Sequence, residues 1–210
     1  IYLGNYMKEG LAWGRLPFVP GYSAVFSVEQ VGANVTDVAV GDLLYCMGPH
    51  RSFQRLARRE TILLPPTLLP EHATFARILN ITMSTLTTTP ARPPEKVVVT
   101  GLGPVGFLGA FMFQACGYDL YACEPLEKRR ALATAAGLRK VLAAIPLNDP
   151  AVTGQVALVV ECSGHEQAVL DGCAVLMKGG ELVVVGVPMT RKTDIYSLGV
   201  VGYLALAGRF

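Results

Sequence analysis

The residues with the clearest chemical use lie in 96-KVVVTGLGPVG-106, where G-x-G-x-x-G follows an apolar strand pattern and opens a helical one. Glycine at 101 permits a tight turn, glycine at 103 lets the backbone approach a pyrophosphate, and glycine at 106 lets a helix pack closely on a strand. The helix start offers unpaired N–H groups and the positive end of its dipole to such an anion. Glu124 ends the segment 119-DLYACE-124 and lies 23 residues beyond Gly101. That is close to the offset of about 20 at which an acid receives the adenosine ribose hydroxyls. The bland alternative is a side chain that faces solvent at a strand end. Loop, strand and spacing together predict a dinucleotide site.

An acid at that offset repels the extra phosphate of NADP, so NAD is expected ahead of NADP. Lys128, Arg129 and Arg130 follow on the next helix and keep NADP open: they either pair with a phosphate or form a solvated helix face. The strand ends 158-LVVECSG-164 and 183-VVVGVP-188 carry small residues. These leave room for a ligand across the carboxyl ends of a parallel sheet, or simply punctuate strand-to-loop transitions.

The elements that must position these residues alternate. After the proline-rich break 90-PARPPE-95, apolar strands are predicted at 96–100, 120–123, 140–144, 156–162 and 181–187. Helices are predicted at 104–116, 125–136 and 165–177, the second started by Pro125 and stopped by Gly137. Strand–helix alternation implies a parallel, doubly wound sheet. The first 75 residues differ, with short alternating runs at 24–32, 36–48, 53–57 and 61–65 broken by Gly and Pro. These suggest an antiparallel barrel or sandwich. One helix is predicted over 71–88.

Composition agrees with buried parallel strands. The 210 residues are 51% hydrophobic and 16% charged, and strands covered on both faces read as continuous apolar runs. The net charge of +2 argues neither for nor against nucleic acid, and the basic run 51-RSFQRLARRE-60 reads as a solvated edge, so no nucleic-acid partner is expected. Residues 97–118 carry no charge, yet glycines and a proline cluster within them. They are read as strand, turn and helix rather than a membrane span. The five cysteines form no C-x-x-C pair, which fits small core hydrophobes in a reducing cytoplasm. The chain opens mid-pattern at Ile1, and a piece of a longer protein is expected.

Taken in order, 19-VPGYSAVFSVEQVGANVTDVAVGDLLY-45, 101-GLGPVG-106, 124-EPLEKRRALATAAG-137, 159-VVECSG-164 and 181-ELVVVGVP-188 resemble the medium-chain dehydrogenase/reductases, the zinc-type alcohol dehydrogenase superfamily. The resemblance runs through nearly the whole chain. It implies an α/β fold in which a truncated GroES-like β-barrel precedes a Rossmann doubly wound parallel sheet. Residues 1–88 would form the catalytic barrel domain with its linking helix at about 71–88, and 93–210 an incomplete Rossmann domain. It implies cofactor roles for Gly101, Gly103, Pro104, Val105 and Gly106 at the pyrophosphate, for Glu124 at the ribose and for Arg129 near the adenosine. Ser163 and Gly164 would edge the adenosine side, and Val185, Gly186 and Val187 would lie near the nicotinamide.

The departures bear on mechanism. Zinc members carry Gly-His-Glu at the barrel corner where this chain has Gly21-Tyr22-Ser23, and residues 76-ARILN-80 offer no replacement ligand. A phenol is a poor zinc ligand beside imidazole or thiolate, so no metal is expected. The proton that accompanies hydride transfer then falls to Tyr22, which replaces a ligand, or to His50, in the turn after a barrel strand. Thr82 matches the threonine that approaches the nicotinamide in this family. The expected function is hydride exchange between NAD(P) and an alcohol, carbonyl or activated alkene of small-molecule size, in a cytoplasmic homo-oligomer (dimer or tetramer). Two alternatives remain at this level: a non-catalytic dinucleotide-binding sensor or scaffold, and a zinc enzyme with displaced ligands.

Overall fold

The computed structural model describes residues 19–186. The early alternating runs condense into three short strands, β1 (Ala24–Ser27), β2 (Leu43–Cys46) and β3 (Thr61–Leu63), paired antiparallel in the order β1-β2-β3. Val25 faces Tyr45 across the first pair and Tyr45 faces Ile62 across the second. Tyr45, Leu64 and Ala73 form a small core here, with Val25 packed against it.

Residues 53–57, expected as a strand, are irregular and lead into a 3-10 turn at Arg58–Glu60. Local polar bonds compete with ladder formation there. The Glu60 carboxylate accepts the Ala57 N–H at 3.1 Å, and Arg58 donates to the Thr61 carbonyl at 2.9 Å and pairs with Asp37 at 2.8 Å.

The single helix expected over 71–88 is two: α1 (Pro70–Ala73) and α2 (Ala76–Thr88). The break has a visible cause. The Thr74 carbonyl, which a continuous helix would direct to residue 78, accepts the Ser23 hydroxyl at 2.7 Å. The Thr74 hydroxyl turns back to the Glu71 carbonyl at 2.7 Å. The chain divides into two compact units, residues 1–77 and 78–210, with the division inside α2.

The second unit follows the strand–helix alternation: β4 (Lys96–Thr100), α3 (Pro104–Ala115), β5 (Asp119–Cys123), α4 (Glu127–Ala135), β6 (Val141–Leu142), β7 (Val156–Glu161), α5 (Glu166–Val175) and β8 (Leu176–Val184). All pair parallel in the order β6-β5-β4-β7-β8. Counted from β4 this is 3-2-1-4-5, the Rossmann order, and its switch point lies between β4 and β7. Val97 and Val99 of β4, with Leu158 and Val160 of β7, enter one buried cluster; Val98 and Val159 enter the other. That alternation is the pleat of two central strands covered on both faces.

The strand expected at 140–144 shrinks to two residues because it pairs only with the end of β5. β8 begins directly after α5, but its pairing to β7 is irregular until Glu181, opposite Leu158, so the regular part starts where the sequence predicts. The charge-free stretch 97–118 resolves into β4, a turn and α3. Among the described residues, no helix is long and apolar enough to cross a membrane.

Candidate functional site: the carboxyl edge of the parallel sheet

The G-x-G-x-x-G loop joins β4 to α3, and each glycine has a distinct steric reason. Gly101 has φ +79°, and a Cβ there would lie 2.7 Å from the backbone N and Cα of Ser163. At Gly106 a Cβ would sit 1.9 Å from the Gly101 carbonyl oxygen. Gly103 is the opposite case, since a Cβ there would meet nothing within 4 Å. Two glycines therefore close the turn against its neighbours, and the third presents an open backbone face. Gly103 caps α3 and Pro104 occupies its first turn, so the N–H groups of the first turn and the positive dipole end point out of the loop. This arrangement can receive a diphosphate.

Glu124 sits just beyond β5, only 2% exposed. One carboxylate oxygen accepts the Leu102 N–H at 2.8 Å, and the other accepts the Leu126 N–H at 3.0 Å. Arg129, half exposed, approaches at 3.5 Å. Arg130 donates to the backbone carbonyls of Glu124 at 2.8 Å and Pro125 at 2.6 Å. The acid thus ties the glycine loop to the β5–α4 turn, which its offset from Gly101 alone did not reveal. A carboxylate offers about four acceptor positions, so these three donors do not exhaust it.

On the other side of β4, Ser163 and Gly164 form the turn after β7, with Ser163 packed under Gly101. Val185 and Gly186 follow β8, and Val187 lies outside the described residues. Their organiser is a residue that spacing did not single out. Glu161, the last residue of β7, is 0% exposed. Its carboxylate accepts the backbone N–H groups of Ser163 (2.6 Å) and Gly164 (3.0 Å), together with the Ser163 hydroxyl. A lone acid closing the otherwise apolar run 156-VALVV-160 was the available signal.

The remaining candidates lie elsewhere. In the first unit, Tyr22 and His50 share one corner. The His50 N–H donates to the Pro20 carbonyl at 2.7 Å, and its ring fills the space beside Gly21, whose φ is +98°. Tyr22 is 46% exposed, with the Arg77 guanidinium 5.7 Å from its ring centroid. Thr82, by contrast, is fully buried. Its hydroxyl donates to the Leu79 carbonyl at 3.0 Å, and its methyl packs where a Cβ on Gly109 of α3 would fall, 2.7 Å away.

The family described as zinc-binding dehydrogenase matches residues 104–207. An alcohol dehydrogenase of Geobacillus stearothermophilus is 24% identical over 212 residues, covering 83% of this chain and 62% of that protein. An L-threonine 3-dehydrogenase of Caldanaerobacter subterraneus subsp. tengcongensis is 25% identical over 213 residues, covering 82% of this chain and 60% of that protein. The quinone oxidoreductase of Escherichia coli, solved in complex with NADPH, superposes with a TM-score of 0.69 at 19% identity, covering 90% of this chain and 62% of that one. The chain is similar to medium-chain dehydrogenases through these matches. The matched part spans about 60% of the length of these two curated relatives.

The match to a zinc-binding dehydrogenase family raises the question of zinc. A catalytic zinc takes three protein ligands from His, Cys, Asp or Glu. Among the described residues, no group of three or more such side chains is placed to hold an ion. At the corner where this family carries ligands, the Ser23 hydroxyl is committed to the Thr74 carbonyl. Burial pushes the Cys123 and Cys162 thiols up to about 12, Cys162 with help from the neighbouring Glu161 charge. The described residues do not fit a catalytic zinc.

Proposed function

We propose that the chain is part of an NAD(P)-dependent oxidoreductase that exchanges hydride between the nicotinamide and an alcohol, carbonyl or activated alkene, without catalytic zinc. One observation carries the reading. At the switch point of the parallel sheet, Gly101 and Gly106 are closed by their neighbours while Gly103 presents an open backbone face at the start of α3. The E. coli quinone oxidoreductase was solved with NADPH, which supports a nicotinamide dinucleotide. The buried acid at 124 supports NAD ahead of NADP, because its charge opposes a phosphate on the adenosine ribose.

The proposal assigns proton transfer to Tyr22 and His50, neighbours at one corner of the first unit. Thr82, buried with its hydroxyl committed to its own helix, is not assigned a part. A homo-oligomer, from the resemblance alone, and a cytoplasmic location, from the cysteine pattern, belong to the same proposal. Fluorescence titration with NADH and NADPH tests it. Binding of NADH at micromolar concentration, tighter than NADPH, is expected, and binding of neither dinucleotide removes the reading. In a substrate screen, Tyr22→Phe or His50→Ala lowers turnover by about a hundredfold if its proton is used. Unchanged turnover in both overturns their assignment.

A further inference from the structure

Three segments meet at the carboxyl edge of the sheet, at the ends of β4, β7 and β8, and one residue bonds to all of them through its side chain and its backbone carbonyl. Glu161 closes β7, with Thr100 of β4 and Val184 of β8 as its lateral partners. Its carboxylate accepts the N–H groups of Ser163 and Gly164 and the Ser163 hydroxyl, and the Thr100 hydroxyl approaches at 3.4 Å. Both carboxylate oxygens lie within reach of the Gly164 N–H, at 3.0 and 3.1 Å. Its backbone carbonyl accepts the N–H groups of both Val185 and Gly186 at 2.8 Å. Among the described residues it takes part in no ion pair, so hydrogen-bond donors alone offset its burial.

The loops it holds leave no slack. The Ser163 backbone stands 2.7 Å from a Cβ on Gly101, and a Cβ on Gly186 would lie 2.4 Å from the Gly164 nitrogen and 2.8 Å from a Glu161 carboxylate oxygen. A shift of the Ser163–Gly164 turn therefore moves into either the glycine loop or the strand end at Gly186.

We infer that Glu161 is a positioning residue for the dinucleotide, locking the β7–α5 turn so that the glycine loop and the segment after β8 form one continuous edge. This rests on the dinucleotide reading above. Along that edge, the strand order gives the adenosine half to the β5 side of β4 and the nicotinamide half to the β7–β8 side, which moves Ser163 and Gly164, after β7, from the adenosine side that the resemblance implies to the nicotinamide side. Glu161 acts on the second half, including the phosphate nearer the nicotinamide. A dinucleotide feels its loss, and a ligand confined to the adenosine half does not.

The test compares NADH with AMP on the full chain, by fluorescence and by calorimetry. In Glu161→Gln the shape and the Oε1 bonds can be kept, but the charge that strengthens them is lost and an NH2 replaces the oxygen that shares the Gly164 N–H. The Kd for NADH is expected to rise about tenfold or more, as for loss of one hydrogen bond to a charged group, while the Kd for AMP changes less than about twofold. Thr100→Val, nearly isosteric, removes one hydroxyl from the cluster. It decides the matter if the Gln variant is not folded by circular dichroism, with an expected rise of about threefold for NADH alone. An NADH Kd unchanged in the deciding variant overturns the inference. So does equal weakening of NADH and AMP, which would mark a general loss of structure. Failure of the wild-type chain to bind NADH instead overturns the functional reading beneath it.

Discussion

Gly103→Ala separates the ligand-facing glycine from those that close the turn. Its effect on stability should be small. The added methyl meets no protein atom within 4 Å, and φ −69° with ψ −178° is extended backbone that alanine adopts freely. As N-cap of α3, alanine is worse than glycine by about 0.5–1 kcal/mol. Restricting the unfolded chain returns about 0.4–1 kcal/mol. The two terms offset to within about 0.5 kcal/mol, or no more than about 2 °C in Tm for a chain of this size. Binding should respond differently, because the methyl stands on the open backbone face that the proposed function gives to a pyrophosphate. Overpacking of about 1–3 kcal/mol raises the Kd for NADH about 5-fold to about 150-fold. Gly106→Ala is the contrast, since its Cβ would lie 1.9 Å from a backbone carbonyl oxygen that must move. A clash of about 3 kcal/mol, less about 1 kcal/mol that alanine gains over glycine in a helix, lowers Tm by about 4–8 °C. Thermal melts and NADH titrations of both variants read the two effects apart. An NADH affinity unchanged in Gly103→Ala, or a loss of Tm equal to that of Gly106→Ala, would refute the reasoning.

Glu124→Gln keeps an acceptor for one loop N–H but sets an amide donor against the other. A buried unsatisfied donor costs about 1–3 kcal/mol, so Tm should fall by about 2–12 °C. If the acid also opposes a ribose phosphate, the preference for NADH over NADPH should shrink in the same variant, and an unchanged ratio of the two Kd values would remove it as the selectivity residue. The Cys123 and Cys162 thiols, pushed up to about 12 by burial, hold their protons more tightly folded than unfolded, where thiols ionise near about 8.5. Each contributes stability that is fully present below about pH 8.5 and drains as pH climbs toward 12. Melts at pH 7.5 and 9.5 should show a larger drop in Tm for the wild-type chain than for Cys123→Ala/Cys162→Ala, and equal drops would contradict the burial argument.

What could be read in advance divides by the range of the interactions involved. β4, the glycine loop and α3 were legible because their determinants lie within eleven consecutive residues: an apolar run, three glycines at fixed spacing and a proline at the helix start. The parallel sheet followed because its central strands, β4 and β7, are apolar runs buried on both faces. The break between α1 and α2 was not legible, since the Ser23 hydroxyl that takes the Thr74 carbonyl comes from 51 residues upstream. Nor was the irregular course of 53–57, whose alternation suits a strand while Arg58 is drawn to Asp37 and Thr61. The two acids at the sheet edge show the same limit within the site. Glu124 was found because a known offset links it to Gly101, yet its 2% exposure and its bonds to the loop backbone depend on how β4 and β5 align. Glu161 had no such offset, and its donors come from β4 and from the turn after β7. Local pattern thus locates where a ligand would approach. The side chains that hold the approach in shape are set by tertiary pairing, and a polar residue closing a wholly apolar strand is the trace they leave in sequence.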